Sequence, residues 1–136
     1  MTDIPVVVVD DNVSDRYIVR RRLAKAGGFG EISEVTNGTE FLERLTRGDF
    51  RRDAQGTPFL ILMDVNMPLL TGFETILAME RKAQAANSPP GLVVMMLTSS
   101  SNPQDMAKAA EIGSIKGYLF NPLDAEGVQK IRRLYA

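Results

Sequence analysis

The chain has 136 residues, with 16 Lys and Arg against 17 Asp and Glu, no His and no Cys. That length holds one core and is short for two, and a net charge of -1 gives no basic footprint for nucleic acid or an anionic membrane. Thiol chemistry, disulfides, zinc sites of the usual Cys and His kind and imidazole catalysis are excluded, so any chemistry has to rest on oxygen ligands. The opening Met1-Thr2-Asp3-Ile4-Pro5 lacks a basic region followed by a long apolar one, and no apolar run approaches the roughly 20 residues that span a bilayer. A single domain over residues 1–136, cytoplasmic and without a membrane segment, is the expectation.

Apolar, strand-like runs alternate with stretches of helical periodicity along the whole length, the pattern of an α/β fold with a parallel sheet. Ile4 to Val9 reads as the first strand. A helix from Ser14 to Ala26 follows, with Val19, Leu23 and Ala26 on one face, stopped by Gly27-Gly28. Glu31 to Thr36 is a short second strand, Asn37-Gly38 a turn, and a helix from Thr39 to Arg47 offers Phe41, Leu42 and Leu45 to the core. Gly48 to Thr57, with Arg51, Arg52 and Asp53, reads as a polar surface loop of unusual length. Phe59 to Met63 is the third strand, apolar throughout, as expected where helices cover both faces. Met67-Pro68 and Thr71-Gly72 precede a helix from Phe73 to Ala85, which Asn87-Ser88-Pro89-Pro90-Gly91 ends. Leu92 to Leu97 is the fourth strand, and the hydroxyl-rich Thr98-Ser99-Ser100-Ser101-Asn102 leads to Pro103, a good first residue for a helix to Ile112. Gly117 to Phe120 is the fifth strand. Asn121-Pro122 turns the chain into a last helix with Val128, Ile131 and Tyr135 as its buried stripe.

On this map Asp10, Asp11, Asp64, Thr98 and Asn121 all fall at or just after the carboxyl ends of strands, where open α/β sheets bind ligands. Singly each has a plain explanation. Asp10-Asp11-Asn12 suits a helix cap, Thr98 suits a turn, and Tyr118 suits any short strand. Together they place three acids in one crevice, where two full charges 4 Å apart repel by roughly 4 kcal/mol at an effective dielectric of 20. A bound cation relieves that repulsion. Arg20-Arg21-Arg22 points in three directions on its helix and reads as a solvated face.

The segments Val8-Val9-Asp10-Asp11, Leu62-Met63-Asp64-Val65-Asn66-Met67-Pro68, Gly72, Leu97-Thr98-Ser99 and Tyr118-Leu119-Phe120-Asn121-Pro122 occur in this order across nearly the whole chain. The set resembles the receiver domain of two-component response regulators, in its stand-alone, chemotaxis-regulator-like form. The resemblance implies a flavodoxin-like, doubly wound sheet of strand order 2-1-3-4-5 with five helices. It makes Asp64 the phosphoacceptor, whose carboxylate attacks the phosphorus of a phosphohistidine or small phosphodonor. It gives a magnesium ion the carboxylates of Asp11 and Asp64 and the Asn66 backbone carbonyl as direct ligands, with Asp10 acting through water. Thr98 then bonds a phosphoryl oxygen, and Tyr118 is the switch aromatic. The implied partners are a sensor histidine kinase or phosphotransfer protein, and a downstream protein met by the helix 103–112, the strand 117–120 and the last helix. The implied state is monomer or weak dimer, without an output domain. The role is that of a phosphoacceptor, not an enzyme, apart from slow self-dephosphorylation.

One position departs from the family's pattern. Asn121 stands where that pattern has a Lys directly before the Pro, leaving three carboxylates (about -3) and one magnesium ion near -1 before any phosphate arrives. A neutral amide bond is about half as strong as a charge-assisted one, and Lys116 precedes the expected strand, too early to replace the missing cation. Phosphorylation slower or more weakly coupled to switching is the expectation. A second reading is an atypical receiver acting as a phosphorylation-independent interaction module, which Asn121 favours. A third is a magnesium-dependent phosphohydrolase with an Asp nucleophile, which ranks last because no second acid follows two residues after a nucleophile on the first strand and no cap segment is present.

Overall fold

Among the described residues strands and helices alternate: Ile4–Val9 (β1), Val13–Ala26 (α1), Phe29–Val35 (β2), Gly38–Arg47 (α2), Phe59–Met63 (β3), Gly72–Ala85 (α3), Leu92–Thr98 (β4), Pro103–Glu111 (α4), Ile115–Phe120 (β5) and Ala125–Tyr135 (α5). The computed structural model describes residues 3–50, 56–85 and 91–135. Met1 and Thr2, Arg51, Arg52 and Asp53 of the long loop, and Asn87-Ser88-Pro89-Pro90 after α3 lie outside the described residues. All strand pairs are parallel, in the order β2-β1-β3-β4-β5. This is the flavodoxin-like arrangement that the sequence predicts.

Alternation of side chains across the pleat divides the core into two layers. Val7, Val9, Ile61, Met63, Val94 and Met96 face Phe41, Phe73, Ile76, Met79 and Ala109 of α2, α3 and α4. Val6, Val8, Leu60, Leu62, Met95, Leu97 and Leu119 face Val19, Leu23, Val128 and Ile131 of α1 and α5. Burying one such aliphatic side chain is worth about 1.5–3 kcal/mol, and two covered faces explain why β3 carries no polar residue.

Helix starts are written locally. Asn12, Asn37 and Asn102 accept the N–H of Asp15, Glu40 and Gln104 at 3.0, 2.8 and 2.9 Å. Thr71 and Glu74 exchange bonds in a capping box before α3, and the Asp124 carboxylate accepts the Gly127 N–H at the start of α5.

Several element ends shift by one residue, and larger details also differ from the sequence expectation. β2 starts at Phe29, not Glu31, because Gly27 and Gly28, both at positive φ, turn the chain so sharply that Phe29 already pairs with Ile4. β5 starts at Ile115, not Gly117, since Ile115 packs on the α2–α4 core layer, and this places Lys116 inside the strand. Ala26 is exposed, the buried stripe of α1 ending at Leu23. Ile112 lies beyond α4 as its C-cap, its N–H donating to the Ala109 carbonyl. Finally, the polar loop after α2 carries a core residue, Phe50, which stacks on Phe41 with ring centroids 5.5 Å apart.

Arg20, Arg21 and Arg22 diverge as expected: Arg20 binds Glu34, Arg21 meets Tyr17, and Arg22 donates to the Leu123 carbonyl. Among the described residues, no helix is long and apolar enough to cross a membrane.

Candidate functional site

Sheet register brings the acids together. β1 pairs with β3 up to Val9 and Met63, and the Asp64 N–H donates to the Val9 carbonyl at 2.9 Å, so Asp10 and Asp64 leave the sheet at one level. Between β1 and β3 the winding of the chain reverses, which opens a crevice at their carboxyl ends. One carboxylate oxygen each from Asp10, Asp11 and Asp64 lies within 4.8 Å of the others.

The capping explanation for these acids is settled by Asn12, whose side chain takes the cap of α1. Asp10 instead accepts the Asn12 N–H at 2.9 Å and is 3 % exposed, while Asp11 is exposed. Burial pushes the Asp10 carboxyl up to about 7, against the Asn12 bond and with help from the nearby Asp64, Asp15 and Asp11 charges. Asp64, 8 % exposed, is also raised, chiefly by burial and further by Asp11, while hydrogen bonds from the Thr98 hydroxyl and the Val65 and Asn66 N–H groups pull it down. Three acids of which two are buried make a hard-oxygen donor set suited to a divalent cation such as magnesium or calcium. Asn66, exposed in the loop after Asp64, presents its N–H to that carboxylate and has its carbonyl on the same loop.

Thr98 ends β4 and is fully buried. Its Oγ1 accepts the Ser100 N–H at 3.2 Å, and its carbonyl accepts the Asn121 N–H at 2.9 Å. Asn121 therefore stands beside Thr98 at the end of β5, before a cis bond to Pro122. Tyr118 lies earlier on β5, opposite Met96, its hydroxyl donating to the Ser100 carbonyl at 2.9 Å. Lys116 is on β5 but opposite Val94 and Met95, about 13 Å along the strand from the level of Thr98, so it offers the acids no cation.

Three further residues shape the site without having been singled out for it. Ser100 joins Thr98 to Tyr118 and ties the loop to α4 through Asp105 at 2.6 Å. Thr75, fully buried on α3, donates its hydroxyl to the Thr71 carbonyl just before Gly72. Arg16 donates to the Asp10 carbonyl at 2.7 Å. A serine in a serine-rich loop, a threonine on a helix and an arginine beside other arginines carry no sequence signal for these tasks.

The family model described as the response regulator receiver domain matches residues 6–132. The chain belongs to that family. Relatives of this receiver domain include the chemotaxis protein CheY of Pseudomonas aeruginosa, 28% identical over 131 residues and covering 96% of this chain and 94% of that protein. A region of the sensor histidine kinase CheAY of Helicobacter pylori is 30% identical over 125 residues; it covers 92% of this chain, which spans only 14% of the kinase. Among solved structures, the chemotaxis protein CheY4 of Vibrio cholerae superposes with a TM-score of 0.71 at 28% identity, covering 99% of this receiver and 100% of that chain. A two-component response regulator from Cytophaga hutchinsonii shares the fold with a TM-score of 0.83 at 24% identity, covering 99% and 98%.

Proposed function

We propose that this receiver accepts a phosphoryl group on Asp64 and signals through phosphorylation-dependent protein contact. The observation that carries the reading is the single crevice in which Asp10, Asp11 and Asp64 meet while Thr98 bonds the Asp64 carboxylate. The residues that would hold magnesium are Asp11, Asp64 and the Asn66 carbonyl, with Asp10 linked through water. When bound, that ion supplies positive charge against the carboxylates and the transferred phosphoryl oxygens.

A carboxylate oxygen of Asp64 attacks the phosphorus of a phosphohistidine or small phosphodonor. A P–O bond forms as the bond from phosphorus to the donor's leaving atom breaks, and the electron pair stays with that atom, the imidazole nitrogen in a phosphohistidine. The Val65 and Asn66 N–H groups hold the attacking carboxylate, and the Thr98 hydroxyl exchanges Asp64 for a phosphoryl oxygen. That exchange pulls on Ser100, to which Tyr118 is bonded. Output then falls to α4, β5 and α5, where Met106 and Phe120 are exposed and apolar. A partner reads the switch only by binding the two states with different affinity.

The donor is a sensor histidine kinase or phosphotransfer protein, a reading supported by the histidine kinase and chemotaxis regulators among the relatives. The protein works as a phosphoacceptor in the cytoplasm, its own phosphate being lost slowly to water.

Incubation with magnesium and a small phosphodonor, followed by intact mass measurement, tests the proposal. One phosphoryl adduct that Asp64→Asn abolishes is expected. No adduct with magnesium binding demonstrated selects instead a phosphorylation-independent interaction module, the reading that Asn121 favours.

A further inference from the structure

Asp10, the first residue after β1, is held at its N–H, its side chain and its carbonyl. The Asp10 N–H donates to the Val35 carbonyl of β2 at 3.0 Å, and the Asp10 side chain accepts the Asn12 N–H. β1 has ended by Asp10, and the donor to its carbonyl is a side chain, Nη1 of Arg16, at 2.7 Å. That carbonyl shares one rigid plane with the N and Cα of Asp11. Fixing it therefore fixes the direction in which Asp11 leaves the strand, and Asp11 is exposed, with little packing of its own.

Arg16 is itself held. Its Nε donates to Glu34 of β2 at 3.0 Å, and its side chain is only 12 % exposed. The second oxygen of Glu34 takes Nε and Nη2 of Arg20 at 2.9 and 2.8 Å. One planar guanidinium thus bridges α1, the end of β1 and β2, serving two acceptors at a fixed angle. An ammonium on a flexible stem does not reproduce that fork.

We propose that Arg16, held by Glu34, is a positioning residue for the cation site: it clamps the Asp10 carbonyl and so sets where the Asp10 and Asp11 carboxylates stand. The inference rests on reading the acid cluster as a magnesium site and is independent of phosphoryl transfer. The sign of its effect separates positioning from charge. A cation beside the cluster repels magnesium, so deleting Arg16 tightens magnesium binding if only charge matters; deleting a positioning contact weakens it.

The test is calorimetric titration of the full chain with magnesium chloride, without phosphodonor, on protein shown to be folded by circular dichroism. Residues that orient metal ligands typically change affinity by about 10–100-fold when replaced. Arg16→Met is expected to weaken magnesium binding about tenfold, Arg16→Lys and Glu34→Gln by less, and Arg20→Gln by under about twofold, since Arg20 makes no contact with the acids. Wild-type or tighter affinity in Arg16→Met overturns the proposal. Should Arg16→Met fail to fold, unchanged affinity in both Arg16→Lys and Glu34→Gln overturns it equally, as does a wild-type chain that binds no magnesium at millimolar concentration. A wild-type chain that binds magnesium yet takes no phosphoryl group defeats the phosphoacceptor reading and leaves this one to the titration.

Discussion

A Cβ on Gly72 would lie 2.0 Å from the carbonyl oxygen of Asp64, so the first turn of α3 rests directly on the backbone of Asp64. The Gly72 N–H also donates to the Val65 carbonyl at 2.9 Å. The obstacle is backbone and cannot swing aside. Gly72→Ala is expected to lower stability by about 3 kcal/mol, the upper range for overpacking, and to weaken magnesium binding. Urea unfolding in chelator and a magnesium titration measure both; wild-type values would show that the loop has room.

Asp10 titrates at about 7 in the folded chain against an ordinary 3.8, so the folded state binds its proton more tightly than the unfolded state. Stability of the metal-free protein is therefore greatest below about pH 4 as far as this group is concerned, and falls, by a few kcal/mol in all, as pH rises toward 7. The raised Asp64 acts with the same sign. Magnesium needs the deprotonated carboxylates, so the stabilisation it brings should grow over the same interval. Thermal melts from pH 5 to 8 with magnesium or chelator check this, and a magnesium effect independent of pH would count against it.

Restoring a cation at the end of β5 should separate two functions of the pocket. In Asn121→Lys the added charge favours the incoming phosphoryl group, and a gain of about 1.4 kcal/mol over the neutral amide means roughly tenfold faster adduct formation. The same charge opposes magnesium, whose affinity should drop. Equal rate, adduct lifetime and partner affinity in the two proteins would show that Asn121 limits nothing.

Phe50 follows α2 and belongs to the core. It is 2 % exposed, stacked on Phe41, tilted against Phe59 at 5.9 Å and covered by the Arg44 guanidinium at 5.0 Å from the ring centre. Phe50→Ala is expected to cost about 3–5 kcal/mol in chemical denaturation. A loss under about 1 kcal/mol would mean that the cavity collapses freely.

Much of the site was legible before folding was considered. Asp10 and Asp64 each directly follow an unbroken apolar run, with Asp11 next to Asp10, and such runs suit strands buried on both faces, so a common level at the carboxyl edge of the sheet was implied by strand ends. Phe50 was not legible, because one aromatic in a polar stretch has no periodicity to betray it. Nor was the start of β5, where Ile115 is separated from the later apolar residues by Lys116 and Gly117.

Sequence alone determined the alternation of strands and helices and the residues able to do chemistry, because spacing of neighbours along the chain dictates those features. Tertiary structure decided which groups are partners across the fold: that Asn12 and not an acid caps α1, that Asp10 is buried and raised while Asp11 is exposed, that Ser100 joins Thr98 to Tyr118, and that Arg16 holds the Asp10 carbonyl. The physical reason is range. Burial and hydrogen-bond choice depend on atoms brought close by packing of distant segments, and no local pattern records which of several similar residues will arrive there.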